Sequence, residues 1–149
     1  MSLLDRAAIA ARIPHTGRMC LLERVIHWDQ NVIRCAAISH RDTDNPLRDS
    51  QGLPVWAAIE YAAQAAAVHG ALLHPQTAPR AGVLAALRNV NVYCERLDIV
   101  HTELMFSASL LHSDSAGAIY RFEAHDGEKL LISGQFTLMF MDRKQVSEG

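Results

Sequence analysis

The stretch from Leu53 to His74 constrains the fold most, because it combines helix start and stop signals with almost continuous hydrophobicity. Pro54 lies at the expected first turn, Pro75 follows the last residue, and eight alanines lie between the two prolines. Apolar side chains occupy nearly the whole circumference, so a helix of roughly 20 residues should be covered by other elements. The sequence therefore predicts a central helix over about residues 54–74.

Two polar side chains interrupt this apolar helix. Glu60 and Gln64 are one turn apart and share a face with Trp56, which lies one turn earlier. A carboxylate on a buried helix is costly unless it is paired, which makes Glu60 a candidate functional group. The same pattern is also compatible with a structural role, in which Glu60 stabilises the first turn through the helix dipole and reaches solvent.

Composition limits the class of protein. The 149 residues, half of them in the hydrophobic set, suit one domain over residues 1–149. A net charge of -2 without a run of like charge gives no electrostatic footprint for nucleic acid or an anionic membrane. Residues 1–12 lack a signal-peptide pattern and no segment reaches the ~18 apolar residues of a membrane span, so we expect a cytoplasmic protein. Cys20, Cys35 and Cys94 form no CxxC pair and are expected to be reduced.

The rest of the chain alternates apolar and polar residues in the manner of strands. We expect a short N-terminal helix over 2–12, a polar loop over 40–52 before the central helix, and a fraying tail over 142–149. The strand candidates, of which the first two and the last two form hairpins, are 19–28, 32–38, 83–92 or 83–94, 103–111, 117–124 and 129–141. Six strands and one long helix predict an α+β fold in which an antiparallel sheet wraps around the helix. Its open edges favour a dimer whose two sheets are continuous.

Two motifs resemble the FabZ-type 3-hydroxyacyl-ACP dehydratases, which have the hotdog fold. Ile13-Pro14-His15 followed by Met19–Val25 is similar to the family's N-terminal segment. Glu60-Tyr61-Ala62-Ala63-Gln64 is similar to its central-helix motif, with Pro54 at the matching distance before it. Among these proteins the chain most resembles the ApeP-like subgroup associated with aryl-polyene biosynthesis, over about residues 13–141.

This resemblance implies a single hotdog domain and a specific activity. The reaction would be dehydration of a 3-hydroxyacyl thioester on acyl carrier protein to the trans-2-enoyl thioester, in fatty-acid or aryl-polyene type biosynthesis. It implies Glu60 as the acid, with Gln64, Trp56 and Val55 in contact with substrate, the Val55 N–H replacing that of the family's glycine. The implied partners are acyl carrier protein and a second hotdog chain, identical or different. No cofactor is implied beyond the 4'-phosphopantetheine arm that carries the substrate.

The sequence departs from the family where the base should lie. The family's catalytic histidine belongs to the loop before the helix, where this chain has Asn45-Pro46-Leu47. His15, which resembles a supporting residue of the family, is a candidate base, although a structural hydrogen bond is the alternative. An Asn45 and Glu60 pair could instead serve a hotdog acyl thioesterase. Loss of the loop histidine also fits a non-catalytic partner subunit of a heterodimeric dehydratase.

The other histidines are less informative. His69 lies on the side of the helix opposite Glu60, which is typical of a hydrogen-bonded core histidine. His40 begins the polar loop and is expected to be solvated. The spacing of the histidines and cysteines matches no metal site.

Overall fold

The structure is a computed structural model that describes residues 3–13, 17–76 and 81–141. The described residues form two α-helices and one antiparallel sheet of seven strands. The helices are α1 (Arg6–Ala10) and α2 (Ala57–Leu73). The strands are β1 (Leu4–Asp5), β2 (Arg24–Trp28), β3 (Val32–Ala37), β4 (Ala81–Val92), β5 (Leu104–Ser113), β6 (Gly117–Asp126) and β7 (Lys129–Met141).

The sheet has the strand order β1-β2-β3-β5-β6-β7-β4, and every neighbouring pair is antiparallel. The long helix α2 packs on the middle of the sheet, against β3, β5 and β6. The α+β prediction of an antiparallel sheet around one helix is therefore confirmed. The apolar face of α2, which includes Tyr61, forms the core with inward residues of the sheet, among them Phe106 on β5, Phe122 on β6 and Phe136 on β7.

The central helix begins three residues later than the prolines suggest. Trp56 is the N-cap residue, and Pro54 lies before the helix in an isolated bridge with Arg96. The Pro54 carbonyl accepts a hydrogen bond from the N–H of Ala57 at 3.0 Å, which closes a turn that leads into the helix. The residues that lead into α2 are thus held by the segment around Arg96. This contact positions the site described below.

The N-terminal helix is shorter than the predicted 2–12 because the chain first pairs with the sheet. Leu4 lies opposite Val25, so the two residues of β1 form a short edge strand. Asp5 then caps α1 by accepting a hydrogen bond from the N–H of Ala8 at 2.9 Å. A strand of two residues shows no alternation, which is why the sequence predicted six strands rather than seven.

Two predicted turns are present and have local causes. The Asp29 side chain accepts hydrogen bonds from the N–H groups of Asn31 at 2.8 Å and Val32 at 3.0 Å, which closes the β2–β3 hairpin. Gly127 adopts a positive φ of 58° in the β6–β7 turn, a conformation that glycine reaches at little cost. Both hairpins of the sequence prediction are therefore confirmed.

Strand β4 forms an open edge of the sheet, bonded on one side to β7. Its exposed side chains include Val83 and Leu87, each 49% exposed. A bulge follows Arg88, where Asn89 has a positive φ of 53° and the register with β7 shifts. A further register shift lies between Leu84 and Ala86, so the regular start of this edge is 81–84, beside the open flank of α2.

Candidate functional site

A pocket of about 140 Å³ lies between α2 and the strands β4 and β7. Small residues of the helix and of β4 leave this space open, because they have no side chain long enough to fill it. Within the described part of the chain, Glu60 is the single titratable residue of its lining. The lining consists of Glu60, Ala63, Gln64, Ala67, Gly82, Leu84 and Leu138.

The Glu60 side chain is exposed in the single chain. The carboxylate therefore reaches solvent in the single chain, and whether its role is functional or structural stays a prediction. Among the described residues it has no hydrogen-bond or ion-pair partner. Glu60 is exposed because the sheet packs against the other faces of α2 and leaves the flank that carries Glu60 open.

Gln64 lies one turn after Glu60, is 3% exposed, and connects the pocket to the N-terminal segment. Its Oε1 accepts a hydrogen bond from the N–H of Leu21 at 2.9 Å, and its Nε2 donates one to the carbonyl of Met19. Both ends of the amide are thus used to anchor this segment to α2. His15 lies outside the described residues, so its role as a base stays a prediction.

Asn45 is buried, at 6% exposure, and does not belong to the pocket lining. Its Nδ2 donates hydrogen bonds to the carbonyl of Ser39 and to the hydroxyl of Tyr61, both at 2.9 Å. Its Oδ1 accepts a hydrogen bond from the N–H of Leu47, also at 2.9 Å. Both ends of this amide therefore serve the loop and the helix rather than the pocket.

The backbone donor at the start of α2 lies one residue after the Val55 N–H that the resemblance implies. The N–H of Val55 donates to the carbonyl of Glu95 at 3.0 Å, and its side chain is 3% exposed, so this N–H is already used within the fold. The N–H of Trp56 has no acceptor among residues 3–13, 17–76 and 81–141. Trp56 is also 52% exposed, so at this helix end it offers both a free donor and an accessible apolar surface.

His40 and His69 are both fully buried. His69 lies between the carbonyl of Asp29 and the hydroxyl of Tyr120, each at 2.7 Å. Since a carbonyl can only accept, Nε2 carries the proton and Nδ1 accepts from the tyrosine, which confirms a core histidine. The prediction that His40 is solvated is wrong, because the turn Ser39–Arg41 packs beneath Val100 and His40 Nε2 donates to its carbonyl at 3.1 Å. Burial lowers the pKa of both imidazoles.

An acidic side chain holds the loop that leads into α2. Asp98 Oδ1 accepts a hydrogen bond from the N–H of Leu53 at 2.9 Å, and Arg48 and Arg96 flank the carboxylate. Gly52 has a φ of 126°, and an added Cβ there would lie 2.5 Å from Asp98 Oδ2. Although burial opposes the charged form, the hydrogen bond from Leu53 and the two guanidinium groups lower the pKa of Asp98.

The described residues provide neither a cluster of metal ligands nor a helix that could cross a membrane. Residues 3–13, 17–76 and 81–141 contain no group of three or more histidine, cysteine, aspartate or glutamate side chains placed to hold a metal ion. In the same part of the chain, the helices lack the combination of length and hydrophobicity required to cross a membrane.

A long helix wrapped by one antiparallel sheet, with a carboxylate on the open flank of that helix, defines a hotdog-fold protein. The family model described as ApeP dehydratase matches residues 7–147, so the chain belongs to the ApeP-like dehydratase family. The resemblance found in the sequence is thereby confirmed.

Solved structures agree with this assignment. The dehydratase heterocomplex ApeI:P from Xenorhabdus doucetiae matches with a TM-score of 0.82 and 25% identity, over 94% of this chain and 95% of that chain. A mutant thioesterase from Staphylococcus aureus matches with a TM-score of 0.58 and 16% identity, over 79% and 92% of the two chains. A mutant thioesterase from Pseudomonas aeruginosa matches with a TM-score of 0.57 and 14% identity, over 79% of this chain and 80% of that chain. The two thioesterases show the shared fold alone. No curated protein matches the chain.

Proposed function

We propose that this chain is a subunit of a dehydratase that acts on a 3-hydroxyacyl thioester carried by acyl carrier protein. The product is the trans-2-enoyl thioester, in fatty-acid or aryl-polyene type biosynthesis. Two findings support the proposal, namely membership of the ApeP-like dehydratase family and the position of Glu60 as the titratable group of the pocket. The second is the observation on which the proposal depends most.

The reaction requires three kinds of group. A base removes the C2 proton, an acid protonates the leaving C3 hydroxyl, and hydrogen-bond donors stabilise the charge that develops on the thioester oxygen. The C2–H and C3–O bonds break, the C2–C3 double bond forms, and water leaves. We assign the acid to Glu60 and the donor to the N–H of Trp56, one turn earlier at the positive end of α2.

The base does not come from the described lining of the pocket, where Glu60 is the one titratable residue. Two sources remain within the proposal, His15 of this chain and a histidine of a second hotdog chain. The pocket volume of about 140 Å³ is also below the ~300–1,000 Å³ of typical ligand sites. We therefore propose that a second chain, identical or different, completes the site.

The open edge of β4 is the surface that we assign to this second chain. An apolar edge strand presents unpaired backbone groups that a neighbouring strand can bond. In β4 that edge lies beside Gly82 and Leu84, which line the pocket, so a strand added there would bring new side chains to Glu60. The similar ApeI:P structure is a heterocomplex, which supports an assembly of two different hotdog chains.

A second candidate function is that of a non-catalytic partner subunit. The observation that favours it is Asn45, which stands in the loop of the family's catalytic histidine and is engaged in buried hydrogen bonds. The thioesterase alternative required Asn45 to act together with Glu60. We do not adopt it, because the hydrogen bonds of the Asn45 amide are made outside the pocket.

Acyl carrier protein as partner, its phosphopantetheine arm as the substrate carrier and a cytoplasmic location all stay predictions. They follow from the proposed reaction, in which the arm would deliver the thioester to the open flank of α2. Direct binding of a carrier protein to the assembled chains, measured with a matched apo form that lacks the arm, would test the first two.

The experiment that tests the function compares the chain alone with the chain co-expressed with a second hotdog protein. Each sample receives a 3-hydroxyacyl-ACP, and enoyl absorbance is recorded together with release of free thiol. The chain alone can be active in this assay only if it contains the base. If His15→Ala then abolishes the activity and the exposed control His112→Ala retains it, the base is His15. Activity that requires the second chain supports a shared site. Thiol release without enoyl formation would reject dehydration.

A further inference from the structure

We propose that Asn45, Tyr61 and Ser39 form a buried positioning chain that holds the loop before α2 and the Gly17–Leu21 segment around Glu60. In this assignment Asn45 is a positioning residue, not a proton-transfer group. The inference rests on the proposed function in one respect, namely that Glu60 acts on substrate in the pocket. The hydrogen-bond chain itself is independent of any activity.

The direction of each hydrogen bond follows from the donors and acceptors present. Ser39 Oγ lies 2.7 Å from the carbonyl of Leu21, and since a carbonyl only accepts, the serine donates its proton there. The Ser39 oxygen then accepts the proton of the Tyr61 hydroxyl at 2.7 Å. The Tyr61 oxygen in turn accepts from Asn45 Nδ2 at 2.9 Å. Both hydroxyl protons are therefore committed in one direction.

Asn45 is suited to the end of this hydrogen-bond chain because its amide can donate two hydrogen bonds and accept another at the same time. Its second proton goes to the carbonyl of Ser39, and its Oδ1 accepts from the N–H of Leu47, so one side chain closes the loop on itself. Aspartate would offer two acceptors facing the Ser39 carbonyl. Histidine would offer at most one donor while keeping an acceptor.

The other end of the hydrogen-bond chain reaches the pocket through the Leu21 backbone. The Leu21 carbonyl accepts from Ser39, while its N–H donates to Gln64 Oε1, and Gln64 lines the pocket beside Glu60. Tyr61 is the neighbour of Glu60 in α2, and its ring stacks on Phe106 with centroids 4.9 Å apart. The start of α2, the loop and the N-terminal segment are thus held together by contiguous bonds.

The buried position makes these bonds cooperative. Ser39, Asn45 and Gln64 are each at most 6% exposed, and Tyr61 is fully buried, so water cannot replace a missing partner. Loss of one hydroxyl should therefore loosen the backbone amides at both ends of the hydrogen-bond chain. A purely local role of each bond would loosen the nearest amide alone.

The first test measures amide hydrogen exchange in Tyr61→Phe, which removes the hydroxyl and keeps the stacked ring. The amides of Leu21 and Leu47 should exchange roughly tenfold faster or more, relative to amides in the β6–β7 pair, as expected for loss of the two buried hydrogen bonds that the Tyr61 hydroxyl makes. The control Tyr93→Phe, at a site 55% exposed, should leave both unchanged. Unchanged exchange at Leu21 and Leu47 in Tyr61→Phe, or equal acceleration throughout the sheet, would overturn the proposal.

Ser39→Ala provides a second variant that separates the two ends of the chain. It breaks the link to Leu21 but leaves the bond between Asn45 and Tyr61, so exchange at Leu21 should accelerate more than exchange at Leu47. The opposite order would contradict the assigned bonds. This variant also keeps the test available if Tyr61→Phe fails to fold.

The second test uses the active assembly and asks whether the chain positions Glu60. Tyr61→Phe should lower kcat about tenfold or more at a nearly unchanged KM. Faster exchange at Leu21 with unchanged kcat would overturn the positioning role. The exchange experiment does not need activity, so failure of the proposed function is distinguishable from failure of this inference.

Discussion

The Nδ2 atom of Asn45 lies 2.9 Å from the hydroxyl oxygen of Tyr61 and donates a hydrogen bond to it in the buried interior. This pair joins the loop before α2 to the residue that follows Glu60 in the central helix. The loop therefore has a structural role in this chain. Asn45 supports the site through buried hydrogen bonds and does not line the pocket.

This relationship predicts the outcome of replacing Asn45 with histidine. Asn45→His should give no gain of dehydratase activity, and it should lower the free energy of unfolding by about 1–3 kcal/mol for each buried group left unpaired. Chemical denaturation and the enoyl assay measure the two effects. The matched control Asn31→His, at an exposed turn, should leave stability nearly unchanged. A rise in activity of the isolated Asn45→His chain would contradict the buried role.

Replacing Glu60 tests the acid directly. Glu60→Gln keeps the shape of the side chain and removes the exchangeable proton, so we expect the rate of the active assembly to fall ~10²–10⁴-fold. The fold should persist, because Glu60 is exposed and has no partner among the described residues. Glu128→Gln, at an exposed site in the β6–β7 turn, is the control. A well-folded Glu60→Gln assembly that keeps more than half of the activity would exclude the assignment and favour the non-catalytic partner role.

The open edge of β4 predicts where assembly is sensitive to mutation. Leu87→Glu places a charge on the exposed edge strand and should weaken association at least tenfold, because a charge buried at an interface without a partner is costly. Leu111→Glu on β5 is the matched control, since Leu87 is 49% and Leu111 is 44% exposed. Sedimentation of the co-expressed chains measures association. Equal effects of the two substitutions would place the interface elsewhere.

The buried histidines predict how stability depends on pH. Burial lowers the pKa of His40 and His69 in the folded protein, whereas in the unfolded chain it is about 6.5. The unfolded state therefore binds more protons below that pH. Their contribution to stability is complete above about pH 6.5 and is lost as the pH falls toward the lower folded pKa.

Urea denaturation across this pH range checks the effect. His69→Gln should flatten the acid dependence of the free energy of unfolding, while the exposed control His112→Gln should leave the dependence unchanged. A stability that rises as the pH falls from 7 to 5 would contradict the assigned sign, where ~7 and ~5 bracket the ordinary histidine pKa.

Much of the fold was predictable from local sequence because its causes are local. Two prolines and an alanine-rich run between them indicated the central helix, and Asp29 and Gly127 determined turns through their own side-chain or backbone chemistry. The motif around Glu60 also indicated the correct family. The strand of two residues, Leu4–Asp5, was beyond prediction because it depends on pairing with β2.

The sequence alone thus determined the central helix, six of the seven strands, their order and the family, since helix and turn signals and motif spacing are properties of neighbouring residues. Only the tertiary structure decided which side chains are buried. A nearly uniform apolar helix does not reveal which flank the sheet leaves open, so the exposure of Glu60 could not be predicted from periodicity. The burial of His40 and the bonds of Asn45 to Ser39 and Tyr61 likewise depend on segments far apart in the chain, which meet because one sheet packs around one helix.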